Sequence, residues 1–299
     1  MLIALCSLAR ASPSAGVRIV ALVTSAAGSE VAVAGPFEAV VRVGGEELRG
    51  CLADLPLDVL RRCAPVRSPG VYQRQRHMPG RWFSTTAGRF LEYESLLERD
   101  WMLLMDFDRE VEWMCEQPLR LHYRKDGRPA SHVPDLLVWR SEMSELCDVK
   151  SGERVADPAF QAQVQATSRA CREAGISYRV LSEPDRRLLV NARWLAGFRE
   201  PPPDPDGERA RITSALRGGA STVRELLSGA REMALARPVL MHMLWAGDAL
   251  IDPVLAIDAE TRGGRRRERG RDGARVAVGR RRSAGDRRRG GVRERGGGW

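Results

Sequence analysis

The chain has 299 residues, with 48 Lys and Arg against 39 Asp and Glu, a formal charge of +9. That length can bury a sizeable core, and a hydrophobic content of 43% excludes a wholly disordered chain. No apolar run approaches the ~18 residues of a membrane span. The charge is unevenly spread: residues 262–299 hold 15 Arg and four acids (Glu268, Asp272, Asp286, Glu294), a net of +11, which leaves −2 for the rest. The body is therefore nearly neutral, which argues against a polypeptide that grips nucleic acid along its whole length. The six Cys form no C-x-x-C pair and have no paired His at metal spacing, so neither a zinc site nor a disulfide framework is indicated. Reduced thiols in a cytoplasmic protein are the expectation. Met1–Ala11 is apolar but lacks a basic flank and is cut short by Arg10, so it reads as a ragged start rather than a signal peptide.

Val17–Val23 and Phe37–Val43 are rich in β-branched residues and bounded by Gly and Pro, which predicts strands, and Leu57–Arg62 suits a turn or two of helix. Residues 1–70 thus read as a small β-rich region, closed by loop signals at Ser68-Pro69-Gly70 and Met78-Pro79-Gly80. From Thr86 the spacing becomes helical, with Phe90, Leu97, Trp101 and Leu104 on one face as far as Asp106. Val111–Glu116 and Leu119–Tyr123 predict strands divided by Gln117-Pro118, and Asp126-Gly127 marks a turn. His132–Arg140 and Glu145–Ser151 predict the two strands of a hairpin. Pro158–Ala174 has Pro at its start and Gly175 beyond its end, as a helix should. Ser177–Leu181 is a strand and Arg187–Phe198 a helix, completing a domain over residues 71–200.

A Pro-rich linker at 201–207 follows. Helices are then expected at Glu208–Arg217, at Thr222–Leu227 (Thr222 and Glu225 have capping-box spacing) and at Pro238–Trp245, with Pro238 in its first turn. With Ala249–Ile257 as a two-stranded wing, residues 208–261 fit a winged-helix module; the alternative is a helical packing domain that never touches DNA. Residues 262–299, with 11 Gly and almost no large apolar residue, are expected to be disordered. The fold class is α/β: helix, mixed β-sheet, helix, strand, helix, flanked by the β-rich and helical regions.

One constellation carries chemistry. Asp135 follows Pro134 at the head of a strand, and 13 residues later comes Asp148-Val149-Lys150. Side chains two apart on a strand share a face, so Asp148 and Lys150 project together, and a hairpin brings Asp135 to the same edge. Two carboxylates and an ammonium in one cleft suit a hard cation and an acidified water, with Mg²⁺ anchored by Asp135 and Asp148. Lys150 is then placed to hold the attacking water and a phosphate. Glu94 and Glu98, four apart on the preceding helix, offer a third acid. An Asp-x-Lys tripeptide alone is weak, and a buried Asp148–Lys150 ion pair would satisfy the same residues. Only Lys125 and Lys150 are Lys in this Arg-dominated chain, the skew expected of GC-rich coding DNA, and one of the two falls in the constellation.

Pro134-Asp135 with Asp148-Val149-Lys150 resembles the PD-(D/E)xK nucleases of the restriction-endonuclease-like fold. More narrowly, Ser95-Leu96-Leu97-Glu98-Arg99-Asp100, Asp106-Phe107-Asp108, Glu116-Gln117-Pro118 and His132-Val133-Pro134-Asp135 resemble TnsA, the endonuclease subunit of heteromeric transposases, its actinobacterial-type branch above all. The resemblance runs over roughly Arg74–Arg199. It implies catalytic roles for Glu98, Asp135, Asp148 and Lys150, with Glu98, Asp135 and Asp148 around Mg²⁺, for which Mn²⁺ would substitute. Some members carry Gln where this chain has Asp148. The implied activity is cutting of the 5′-end strand of a mobile element in double-stranded DNA, beside a DDE-type transposase and an AAA+ ATPase regulator, in the cytoplasm at the nucleoid. A restriction or repair nuclease of the same fold, and a non-catalytic DNA-binding or assembly subunit, are the alternative readings.

Overall fold

The computed structural model describes residues 32–67, 78–141, 143–218 and 221–264. The expectations for Met1–Ala11, Val17–Val23, Ser68-Pro69-Gly70 and residues beyond 264 lie outside them. In chain order the elements are β1 (Val33–Val43), β2 (Glu46–Cys51), α1 (Leu57–Arg61), β3 (Gly80–Ser84), β4 (Arg89–Tyr93), α2 (Leu96–Phe107) and β5 (Val111–Glu116). Then come β6 (Leu119–Lys125), β7 (Arg128–His132), β8 (Leu136–Arg140), β9 (Met143–Val149), α3 (Gly152–Val155), α4 (Pro158–Glu173), β10 (Ser177–Leu181) and α5 (Arg186–Leu195). The last are α6 (Glu208–Arg217), β11 (Ser221–Thr222), α7 (Val223–Ser228), α8 (Met233–Ala246) and β12 (Arg262–Gly263).

Two four-stranded sheets make the mixed α/β architecture, one ordered β2-β1-β6-β7 and the other β10-β9-β8-β5. The first is antiparallel throughout; in the second, β10 runs parallel to β9 while β8 is antiparallel to both its neighbours. The second sheet is covered on both faces, which is why β8 reads Leu-Leu-Val-Trp without polar alternation. Leu136, Val138, Met114 and Cys147 point to one face, where α2, α5 and the C-terminal helices pack. Leu137, Cys115 and Leu146 point to the other, against α4 and the β1 and β6 strands of the first sheet.

The N-terminal region does not stand apart, because β1 pairs with β6 along Val33–Val41. Nor do α6–α8 form a core of their own: Ile212, Leu216, Leu226, Val239 and Leu240 share a cluster with Trp101 and Leu188, and Trp245 packs on Phe107 with ring centroids 5.4 Å apart. The helix expected from Thr86 begins only at Leu96; residues 80–93 are a hairpin instead. Gly88 at φ +66° makes its turn, and Phe83 and Phe90 pair across it edge-to-face at 5.3 Å. The expected strand His132–Arg140 is broken at Val133-Pro134-Asp135, where the chain passes from the first sheet into the second. The helix expected from Pro238 starts earlier, at Met233, with Pro238 inside it. The expected wing at Ala249–Ile257 forms no hairpin: Leu250 bridges Gly264, and the small ladder there is β11 with β12. No helix among the described residues is long and apolar enough to cross a membrane.

Candidate active site

The site lies where β7 gives way to β8. Asp135 is pinned on three sides: its N–H donates to the Cys147 carbonyl (3.0 Å), its carbonyl accepts from the Gln117 N–H (2.9 Å), and its Oδ2 accepts from the Val149 N–H (2.6 Å). Gln117 adopts φ +44°, a left-handed conformation rare for a residue with a side chain, and that turn aims its N–H at Asp135. The hairpin of β8 and β9 does the rest. Leu136 pairs with Cys147, so Asp148 and Lys150 follow directly beside Asp135.

Asp135, Asp148, Lys150 and Glu98 all line one cavity of about 590 Å³, with Glu94, Arg67, Arg154 and His132 also on its wall. Alternation along β9 sends Cys147 to one face and Asp148 to the other, where the Asp148 side chain is 1% exposed. Its carboxylate does not pair with Lys150. Instead Oδ1 receives the His132 Nε2 at 2.8 Å and Oδ2 the Tyr178 hydroxyl at 2.5 Å. The Lys150 ammonium lies 4.9 Å from the centre of the Phe160 ring, and the Lys150 backbone N–H donates to the Leu181 carbonyl (2.9 Å). This contact with α4 holds the charge on the cavity wall.

Glu98 enters from α2 with a structural task already in hand. Ser95 caps the helix by accepting from the Glu98 N–H (3.2 Å), and the Glu98 carboxylate answers by accepting from the Ser95 hydroxyl (2.8 Å) and the Glu94 N–H (2.9 Å). Glu94, four residues earlier, is no idle surface acid. Its Oε1 takes both the Gln117 amide (3.0 Å) and the Arg67 guanidinium (3.0 Å).

The electrostatics are those of crowded acids. Burial, then the negative charges of Asp148 and Glu98, hold the Asp135 carboxyl well above the usual carboxylate range, against the pull of the Val149 N–H. Burial also raises Glu98, opposed by the Glu94 N–H and Ser95 hydroxyl it accepts from. Burial and the neighbouring Asp148 charge raise the Tyr178 phenol well above its ordinary value. Among the described residues no three His, Cys, Asp or Glu side chains converge closely enough to hold a metal ion by themselves. Two carboxylates suffice for Mg²⁺, which keeps several of its waters. Asp135 and Asp148 are hard oxygen donors that repel each other across one cavity, so their chemistry fits such a cation.

All four residues expected from the sequence therefore reach one cavity. His132, Tyr178, Gln117 and Arg67 were not singled out as site residues beforehand. His132 stood within the His-Val-Pro-Asp run and could have been found from it; Tyr178 sits on a predicted strand with no spacing that ties it to Asp148. Residues 108–183 match the family described as TnsA-like endonuclease N terminal, a stretch that holds His132, Asp135, Asp148, Lys150 and Tyr178 but not Glu98. No curated protein matches the chain. Over those matched residues, about a quarter of its length, the chain is similar to the N-terminal domain of TnsA-like endonucleases.

Proposed function

We propose that this protein is the DNA-cutting subunit of a heteromeric transposase, hydrolysing a phosphodiester bond on the 5′-end strand at the ends of a mobile element. The observation that carries the reading is the meeting of Asp135, Asp148 and Lys150 on one cavity inside the TnsA-like stretch. Duplex DNA is the substrate, a DDE-type transposase and an AAA+ ATPase are the partners, and Asp135 and Asp148 hold Mg²⁺, with Mn²⁺ as a substitute. When bound, the cation supplies an acidified water and stabilises charge on the phosphoryl group. Asp135, held by three backbone bonds, keeps its carboxylate aimed with little reorganisation. Lys150 carries its positive charge on the same wall, where it draws in the scissile phosphate and orients the attacking water. Arg67 and Arg154 extend that basic wall for the flanking phosphates. Glu98 contributes its negative charge from the α2 cap.

The test is cleavage of transposon-end DNA with Mg²⁺ or Mn²⁺ in the presence of the co-encoded transposase. Asp135→Ala and Lys150→Ala each lower strand cleavage by about 10²–10³-fold, the scale of losing one aligned electrostatic contact, while the circular dichroism spectrum stays that of the wild type. Full cleavage by either variant overturns the reading.

A further inference from the structure

We propose that His132 and Tyr178 are positioning residues of this site: together they fix the Asp148 carboxylate in one orientation toward the cavity, where it shares a divalent cation with Asp135. The inference rests on the cation-dependent reading above and carries it to two residues outside the acidic set.

The geometry points there first. Tyr178 reaches Asp148 Oδ2 from β10 at 2.5 Å, and His132 Nε2 spans both oxygens from the end of β7, at 2.8 and 3.0 Å. A carboxylate bonded to one donor still turns about its last bond. One bonded to donors from two different sheets does not.

The second observation is how this chain treats two other buried acids. Glu116 takes a two-pronged grip from Arg89, at 2.9 and 2.7 Å. Asp100 is held at 2.7 Å by Arg193 and at 2.9 Å by Arg99. In both, a guanidinium cancels the carboxylate's charge, whereas Asp106, also buried, is met by the Ser84 and Thr85 hydroxyls and the Thr85 and Thr86 N–H groups. Asp148 is as buried as Glu116 and Asp100, yet its partners are a phenol and an imidazole, neither of which brings a guanidinium's permanent charge. They hold the carboxylate in place and leave its negative charge available to a cation. Lys150, close enough in sequence to neutralise it, is drawn instead onto Phe160. Partners that orient a ligating carboxylate in this way typically account for about 10–100-fold in metal affinity.

The experiment is titration of the full-length protein with Mn²⁺, followed by the electron paramagnetic resonance signal of free Mn²⁺ and by calorimetry. Wild type is compared with Asp135→Ala, Tyr178→Phe, His132→Ala and His132→Gln. Wild type binds Mn²⁺ and Asp135→Ala does not. Tyr178→Phe, which removes one oxygen, binds about tenfold more weakly or worse, as does His132→Ala. His132→Gln, whose amide can donate from nearly the same place, recovers part of the loss. Wild-type affinity in Tyr178→Phe and His132→Ala, beside a loss in Asp135→Ala, overturns the positioning role and leaves the cation site standing. Wild-type protein that takes up no Mn²⁺ overturns both. A Tyr178→Phe protein that fails to fold also overturns the proposal, because the phenol is then a structural requirement.

Discussion

Asp135 is a carboxyl that the fold would prefer uncharged. Its folded-state pKa lies above that of the unfolded chain, so its favourable contribution is complete below the unfolded value of about 3.9 and is lost as the pH rises through the folded value. Asp135→Asn removes that penalty and keeps an oxygen for the Val149 N–H. In chelator, the variant should melt higher than wild type at neutral pH, and the gap should shrink toward zero as the pH falls below about 4. Each kcal/mol recovered raises the melting temperature of a domain this size by about 2–4 °C. Adding Mn²⁺ should then raise the melting temperature of the wild type and not of the variant. Thermal unfolding across pH, with and without cation, checks all three; a variant that melts lower at neutral pH contradicts the assignment.

At the scale of elements, the cap of α2 separates two jobs of one glutamate. Ser95→Ala takes away the acceptor for the Glu98 N–H and a donor to its carboxylate, so it should cost about 1 kcal/mol in urea unfolding. Glu98→Gln keeps an oxygen for the Ser95 hydroxyl and should cost less. A loss of cleavage in Glu98→Gln without a matching loss of stability assigns its charge to the chemistry; equal losses assign it to the cap. The same scale shows what could be read beforehand. Asp135, Asp148 and Lys150 were legible because a hairpin and strand alternation are local rules, and both hold in β8 and β9. The hairpin at residues 80–93 was not, because Phe90 happens to lie seven residues before Leu97 and so mimics a helical face. The break at Pro134 was missed because Val133 and Leu136–Trp139 flank it like one apolar run, while only tertiary pairing reveals that the two sides belong to different sheets. Tyr178, 30 residues beyond Asp148, meets it through the parallel pairing of β9 with β10, which no local spacing encodes.

For the molecule as a whole, charge is divided by sequence position. Residues 265–299 hold 14 Arg and four acids, a net of +10, so the chain without them falls from +9 to −1. Non-specific affinity for duplex DNA comes mainly from neutralised phosphates, with a salt slope of about −0.9 for each. Deleting residues 265–299 should therefore weaken non-specific binding and flatten the plot of log affinity against log salt. Cleavage driven by partners at a transposon end should survive the deletion. Fluorescence anisotropy at several salt concentrations measures the slope, and an unchanged slope means the tail touches no phosphate.

The passage of the chain through Val133-Pro134-Asp135 makes the site a gauge of how the two sheets sit. His132 ends one of them, Asp148 belongs to the other, and their bond is a strut across the seam. A displacement of one sheet by an ångström or so would stretch that strut beyond hydrogen-bonding range, while leaving each sheet's own ladder intact. Asp135, anchored to both Gln117 and Cys147, would feel the same shear from its two neighbours. Anything that slides the first sheet against the second would therefore reach the acids through this bond without approaching them.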